Sequence, residues 1–150
     1  MFSKSNNFLQ ALEYEKRNGG EVLDIDDDEQ WFAILSCQHI RELQQGGPAM
    51  LILLRRKNSS IIARMSIVND TNKKELFIGD FGSNIENKGY GSILLRNVIK
   101  LAKQLGCKTI TGNLSSVDGG HFDKLRYLYE KYGFEVKING DSGTILYKVK

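Results

Sequence analysis

The middle of the chain alternates apolar and polar residues in the way that is typical of β-strands. Two such runs, Pro48–Lys57 and Ser60–Asn69, are joined by Asn58-Ser59, which favours a hairpin. A third run, Leu76–Phe81, follows the polar turn Asp70–Lys74. The pattern therefore predicts three strands that pair antiparallel in chain order.

The segment that follows has helical periodicity. Gly89-Tyr90-Gly91-Ser92 opens a helix that continues through Gln104 and is closed by Gly106. Its apolar residues share one face, and these are Leu94, Val98, Leu101 and Leu105. Its polar residues lie away from that face, and these are Arg96, Asn97, Lys100, Lys103 and Gln104. Since a strand at Cys107–Leu114 comes next, the passage from Leu76 to Leu114 has the length of a parallel crossover unit.

The pattern of the C-terminal part predicts a helix followed by a hairpin. The helix extends from His121 to Tyr132 and ends at Gly133, with one apolar stripe formed by Leu125, Leu128, Tyr129 and Tyr132. Phe134–Ile138 and Thr144–Val149 form the hairpin. These elements together predict an α/β (α+β) fold, in which a mixed, mostly antiparallel central sheet is flanked by helices on both faces.

The first 47 residues are predicted to be mainly helical. A short helical pattern ends at Asn18-Gly19-Gly20, and Glu21–Ile25 alternates like a strand. Asp26–Asp28 then suit the N-cap and first turn of a second helix. The apolar face of that helix comprises Trp31, Phe32, Ile34, Leu35, Ile40 and Leu43. A second interpretation of the acidic stretch Asp24–Glu29 is an electrostatic lure for a cationic substrate.

Composition and length limit the classes of protein that remain. The 150 residues carry no internal repeat or linker, so we expect one domain with a helical part at 1–47 and a core at 48–150. A net charge of +3 without a Lys/Arg stripe argues against a nucleic-acid partner. The longest apolar run, Ala49–Leu54, is too short to cross a membrane, and no apolar leader opens the chain. Cys37 and Cys107 lie far apart, which fits a reducing cytoplasm, and no metal-ligand spacing is present.

A glycine-rich loop is the first feature that points to chemistry. Glu86-Asn87-Lys88-Gly89-Tyr90-Gly91-Ser92 links a predicted strand to a predicted helix. Glycines there let a ligand approach the backbone, and the helix start offers unpaired N–H groups and partial positive charge. The loop therefore suits a pyrophosphate, although a plain loop and helix start would have the same residues. It is neither a Walker A loop nor a G-x-G-x-x-G dinucleotide loop.

This loop resembles that of the GNAT acyltransferase superfamily. That family has a strand, a Q/R-x-x-G-x-G/A loop and a helix, and the loop amides hold the pyrophosphate of acetyl-CoA. A second shared feature is Leu128-Tyr129-Glu130-Lys131-Tyr132-Gly133-Phe134, which is similar to the family's LYEKxGF segment. The two motifs occur in the family's order, with one helix and one strand between them. The resemblance covers roughly residues 48–150.

The resemblance implies a set of donor-binding residues. In the family, the strand before the loop carries a bulge whose backbone groups pair with the donor's pantetheine arm. Here the bulge maps to Gly79, Asp80 and Phe81, and a plain strand end is the alternative. The loop contacts to acetyl-CoA map to Glu86, Asn87, Lys88, Gly89, Tyr90, Gly91 and Ser92. No metal is implied.

The resemblance also implies two catalytic residues. Tyr129 matches the LYEK tyrosine that protonates the departing thiolate, although its place in an apolar stripe would equally suit core packing. Glu75 stands where histone-type members place a base that acts through water, although it could be a solvated charge beside a turn. Asp80 is an alternative base.

Three functional hypotheses remain open on the sequence. The first is an acetyl-CoA-dependent N-acetyltransferase that moves an acetyl group to a primary amine, carried by a small molecule or a peptide, by direct attack in a ternary complex. The second is a catalytically weak or inactive acyl-CoA-binding sensor or interaction module. Glu86 supports the second hypothesis, because the family prefers Gln or Arg at that position. Phe122 also supports it, because the family often has an Asn there. Asn113, Ser115 or Ser116 could supply the contact that this Asn would make. The third is a phosphate- or nucleotide-binding domain of another family. The chain is expected to be a monomer or a homodimer.

Overall fold

A computed structural model of the chain describes residues 4–26, 28–29, 31–53, 63–83, 89–115 and 122–150. The predicted turn Asn58-Ser59 and the loop residues Glu86, Asn87 and Lys88 lie outside the described residues. The helices are α1 (Lys4–Arg17), α2 (Cys37–Gln44), α3 (Tyr90–Leu105) and α4 (Phe122–Lys131). The strands are β1 (Glu21–Asp26), β2 (Trp31–Leu35), β3 (Pro48–Leu53), β4 (Ala63–Asp70), β5 (Glu75–Ser83), β6 (Thr109–Ser115), β7 (Glu135–Asn139) and β8 (Ser142–Lys148).

The strands form one eight-stranded sheet in the order β1-β2-β3-β4-β5-β6-β8-β7. Strands β3, β4 and β5 form the predicted antiparallel meander, and β7 and β8 form the predicted hairpin. Among the described strands, only the pairing of β5 with β6 is parallel, and α3 connects these two strands. The predicted mixed, mostly antiparallel sheet is therefore confirmed.

The prediction of a helix from the acidic run through Leu43 is wrong, because Trp31–Leu35 is a strand. All five of its residues are buried, since β2 is covered on both faces. Phe32 and Ile34 pack with α1, whereas Trp31, Ala33 and Leu35 belong to the main core. A strand buried on both faces is a continuous apolar run, which lacks the alternation that marks a half-buried strand.

The acidic run closes a hairpin turn instead of capping a helix. The carboxylate of Asp26 accepts the N–H groups of Asp28 at 3.0 Å and Glu29 at 3.1 Å, within the turn between β1 and β2. The helix that follows, α2, begins at Cys37 and is capped by the Ser36 hydroxyl. Because β1 lies four strands from β5 in the sheet, the acidic stretch is not adjacent to the candidate site described below.

The sheet has an inner and an outer face, which carry different helices. On the inner face, alternate residues of β4 such as Met65 and Ile67 pack with Leu94 and Val98 of α3 in the main core, which also includes residues of α2 and α4. On the outer face, α1 packs on β2, where the rings of Phe8 and Phe32 lie 5.8 Å apart. Helices thus lie on both faces, as predicted.

The polar side of α3 is not fully solvated, because β1 packs against part of it. Asn97 is buried and donates to the Asp24 carboxylate at 3.0 Å and to the Ile93 carbonyl at 2.8 Å. Arg96 forms a 2.6 Å ion pair with the same carboxylate. Burial by itself raises the pKa of Asp24, but the hydrogen bonds from Arg96 and Asn97 and the Arg96 charge outweigh it and lower the pKa below the usual value.

We expect Asp24→Asn to destabilise the protein by about 1 kcal/mol at neutral pH and to make its stability less dependent on acid. A lowered pKa means that the Asp24 carboxylate stabilises the fold above the ordinary aspartate pKa of about 4, and that this contribution is lost as the pH falls below it. Urea unfolding at a series of pH values between 3 and 7 measures both effects. Asp28→Asn, on the same hairpin but with an exposed side chain, is the control. Equal acid dependence in both variants would contradict the prediction.

Candidate active site

The parallel strands β5 and β6 separate part-way along their length. Their pairing runs from Glu75 with Thr109 to Ile78 with Gly112 and then ends. Beyond that point β5 stays paired with β4, and β6 stays paired with β8. The two strands therefore diverge and leave an opening in the middle of the sheet. The first residues past the last pair, Gly79 and Asn113, are both exposed.

The strand β5 is bulged at the point where the opening begins. Ile78 pairs with Ile67 and Phe81 pairs with Met65, so Gly79 and Asp80 together face the single residue Ser66 of β4. This is the distortion that the family resemblance implies at Gly79, Asp80 and Phe81. A Cβ atom added at Gly79 would lie only 2.6 Å from the Ser66 Oγ, so glycine is what allows the close approach. The contact of these residues with an acyl donor stays a prediction.

We expect Gly79→Ala to destabilise the protein by about 1–2 kcal/mol, and the added change Ser66→Ala to recover most of that loss. Removing the Ser66 Oγ leaves its Cβ 3.7 Å from the new methyl group, which is ordinary contact. A double-mutant cycle of unfolding free energies, with Ser66→Ala alone as the third variant, measures the coupling. Additive losses would show that the bulge does not depend on this contact.

The start of α3 lies next to the opening in chain order. Gly89 is its N-cap, with a left-handed φ of 77°, and a glycine offers no side-chain acceptor to the first-turn N–H groups. Gly91 and Ser92 follow in the first turn, which holds no acidic residue, and Tyr90 is buried. N–H groups at a helix start have no carbonyl one turn earlier to bind, so they suit an anion. Of the predicted loop contacts, these four residues are the ones that the structure describes.

The two predicted catalytic residues lie on opposite sides of the sheet. Tyr129 is 2% exposed in the inner core, and its ring lies 5.2 Å from that of Phe134. Glu75 is half-buried on the outer face at the closed end of the β5–β6 pair. At about 3.3 Å per residue, it lies about 13 Å along β5 from Gly79, so a proton would reach it only through a relay. Core packing of Tyr129 is thus observed, and a catalytic role for either residue stays a prediction.

Cys107 and Asn69 form a buried contact away from the opening. The Cys107 thiol donates to the Asn69 side-chain oxygen at 3.5 Å, and burial raises the pKa of this thiol. A thiol with a raised pKa holds its proton and is a poor nucleophile. In the described ranges no group of three His, Cys, Asp or Glu residues could hold a metal ion, and no helix is long and apolar enough to span a membrane.

Residues 10–134 match the acetyltransferase (GNAT) family. The chain belongs to the GNAT family. The match begins well before residue 48, so it also includes most of the N-terminal part that the two motifs left out. The diverging strands, the bulge and the glycine at the start of α3 are therefore features of a GNAT fold.

Relatives of this GNAT protein agree on the fold and differ widely in sequence. An uncharacterized protein of Bacillus subtilis (strain 168), YocC, is 33% identical over 82 residues, which cover 53% of this chain and 49% of that protein, or about half of its length. The PaiA N-acetyltransferase of Thermoplasma acidophilum, solved in complex with coenzyme A, has a TM-score of 0.58 and 16% identity, and the match covers 75% of this chain and 68% of that one. A GNAT family acetyltransferase of Elizabethkingia anophelis with acetyl-CoA bound has a TM-score of 0.53 and 17% identity, over 74% of this chain and 79% of that one.

Sequence reasoning missed the part that β4 plays in this GNAT site. Ser66 faces the bulge, yet it stands in an ordinary alternating strand. Nothing in its neighbourhood along the chain distinguishes it from any other serine on a strand. Only the pairing register of β4 with β5 places it opposite Gly79.

Proposed function

We propose that this protein is an acetyl-CoA-dependent N-acetyltransferase that moves an acetyl group to a primary amine by direct attack in a ternary complex. The observation that carries the proposal is the opening between β5 and β6, bulged at Gly79 and followed in the chain by the glycine-capped start of α3. A thioester held in such an opening has polar backbone groups beside its carbonyl and N–H groups for its pyrophosphate. Membership of the GNAT family supports the same proposal, and so do the structural relatives solved with coenzyme A or acetyl-CoA bound.

In the proposed reaction, the neutral amine nitrogen attacks the thioester carbonyl carbon, and the carbon–sulfur bond breaks. The departing thiolate takes a proton from the Tyr129 hydroxyl, and the amine gives up a proton through water to Glu75, with Asp80 as the alternative acceptor. Tyr129 and Glu75 lie on opposite sides of the sheet, and Glu75, about 13 Å along β5 from Gly79, would receive the proton through a relay of water molecules. The raised pKa of the Cys107 thiol argues against a covalent acyl-enzyme.

A second candidate function is an acyl-CoA-binding sensor or interaction module with little or no transferase activity. Glu86 favours it, because a carboxylate beside a pyrophosphate is electrostatically unfavourable unless it points away. In either case we propose a cytoplasmic protein that acts as a monomer or a homodimer. Its acceptor as an enzyme is an amine of a small molecule or a peptide, without nucleic acid or membrane.

Calorimetric titration of the purified protein with acetyl-CoA tests the shared basis of both functions, with ADP and NAD as controls. We expect micromolar binding that is selective for acetyl-CoA. Folded protein that fails to bind acetyl-CoA up to millimolar concentration would refute both functions. Preference for ADP or NAD would instead indicate a nucleotide-binding domain.

A further inference from the structure

The outer face of the sheet carries an apolar row that leads across the strands beside the opening. Residues directly opposite each other on neighbouring strands share a face, so the pairing register defines the row. Its apolar members on β3, β4, β5 and β8 are Pro48, Val68, Phe77 and Leu146. Thr111 of β6 stands between Phe77 and Leu146, and Glu135 of β7 follows Leu146 at the edge of the sheet. Val68 is 37% exposed and pairs directly with the half-buried Phe77. Helix α1 packs on β2, which is two strands from β4 and three strands from β5.

The rows on either side have different chemistry. Towards the opening, the adjacent row holds Met50 on β3, Ser66 opposite the Gly79–Asp80 bulge, and the exposed Asn113 on β6. Away from the opening, Asp70 and Glu75 face each other across β4 and β5, and both are half-buried. Neither carboxylate forms an ion pair within the described part of the chain. On β4 and β5 the outer face therefore changes from Ser66 and Gly79 to Val68 and Phe77, and then to Asp70 and Glu75, with distance from the opening. Thr109 and Lys148 continue the row of the two carboxylates across β6 and β8.

The inner side of the same point is closed. Ile78, Leu114 and Ile145 are each only 2% exposed, and they pack in the core beneath α3 and α4. Among the described residues, the exposed positions at the start of the opening, Gly79 and Asn113, look to the outer face. A second substrate therefore has the outer face as its route to a donor held in the opening.

We infer that the acceptor is a primary amine carried on an apolar body, which lies on the outer face over Val68 and Phe77 with its amine at Gly79. This inference rests on the proposed transferase function and specifies its acceptor. Phe77 lies two residues from Gly79, or about 7 Å along the strand, which sets the distance from the amine to the apolar body. The carboxylates of Asp70 and Glu75 complement the positive charge of the free ammonium as it arrives.

The acceptor class is tested by acetylation of two primary amines of equal size in the presence of acetyl-CoA. Hexylamine and 2-(2-aminoethoxy)ethanol have the same number of non-hydrogen atoms, but the second has oxygen in place of two carbons. Release of the coenzyme A thiol is measured at several pH values, to allow for the different basicity of the two amines. We expect kcat/KM to be about tenfold or more higher for hexylamine, because only its chain gains from burial on the apolar row.

The position of the acceptor site is tested by placing a charged side chain in the apolar row of the outer face. Val68→Lys is expected to lower kcat/KM for hexylamine about tenfold or more and to leave the Kd of acetyl-CoA unchanged. Ile138→Lys is the matched control, because Ile138 is 38% exposed on β7, at the edge of the sheet. Val68→Thr, which keeps the shape of the side chain, replaces Val68→Lys if the charged variant does not fold, and it is expected to act in the same direction.

The outcomes separate this inference from the proposed function. Equal or better use of the polar amine overturns the inference, and so does an unchanged kcat/KM in a folded Val68 variant. Acetyl-CoA that binds without acetylation of either amine also overturns it, while donor binding stands. Absence of acetyl-CoA binding refutes the proposed function itself.

Discussion

Replacing Tyr129 with phenylalanine is expected to lower kcat at least about 100-fold and to leave the affinity for acetyl-CoA unchanged. The variant keeps the ring that packs against Phe134 at 5.2 Å and removes the hydroxyl that we propose as the proton donor to the thiolate. A thiolate that must leave without a proton raises the barrier of the bond-breaking step, and substrate binding does not depend on that proton. Steady-state kinetics with hexylamine measures the effect on kcat, and calorimetry measures the effect on the affinity for acetyl-CoA.

Tyr132→Phe is the control for this variant. Tyr132 directly follows the last residue of α4, and its N–H group donates to the Tyr129 carbonyl. It is half-buried, but no catalytic role is proposed for it. Both variants should unfold within about 1.5 kcal/mol of the parent protein, which excludes loss of fold as the cause. An unchanged kcat in Tyr129→Phe would remove this hydroxyl from the mechanism and leave Tyr129 as a core residue.

Replacing Gly89 with alanine is expected to weaken acetyl-CoA binding at least about tenfold. Gly89 holds a φ of 77° at the start of α3, which costs an L-residue about 1–2 kcal/mol. No atom of the described residues lies within 4 Å of an added Cβ, so the expected cost comes from the backbone conformation. Relief of that strain rotates the first-turn N–H groups away from the pyrophosphate, and a bound donor would also meet the new methyl group.

The same helix supplies a matched control at its other end. Gly106 caps the C-terminus of α3 with a φ of 75°, and an added Cβ there also has no described atom within 4 Å. Gly106→Ala should therefore lose as much stability as Gly89→Ala and bind acetyl-CoA normally. Calorimetry measures the affinity of each variant for acetyl-CoA, and urea unfolding measures its free energy of unfolding. Equal affinities in both variants would mean that the start of α3 does not bind the donor.

Elements with one buried face and one solvated face were predictable from the sequence. In α3 and β4, for example, burial on a single face leaves a period that can be counted along the chain. The predictions failed where a second element covers the opposite face. Trp31–Leu35 is buried on both faces, and its continuous apolar run wrongly predicts a helix. Asn97 lies away from the apolar face of α3, as predicted, but the pattern along the chain does not show that β1 covers it.

In the candidate site, too, only what is local in the sequence was predictable. Gly89 and Tyr129 were identified because each belongs to a motif that is contiguous in sequence, which can be recognised without knowledge of the fold. Gly79 was identified because the resemblance implies a bulge in the strand before the loop. Their roles remain predictions, because position in a motif does not show what a group contacts.

What the sequence by itself determined is the set of local elements from residue 63 onwards, the glycines between them and the family to which the chain belongs. The tertiary structure decided which residues become neighbours across strands. The pairing register places Ser66 against the bulge, ends the β5–β6 ladder at Ile78 and Gly112, and aligns Val68 with Phe77. The physical reason is that register is set by the packing of whole faces against helices from distant parts of the chain, and a shift of one residue would send every side chain to the other face.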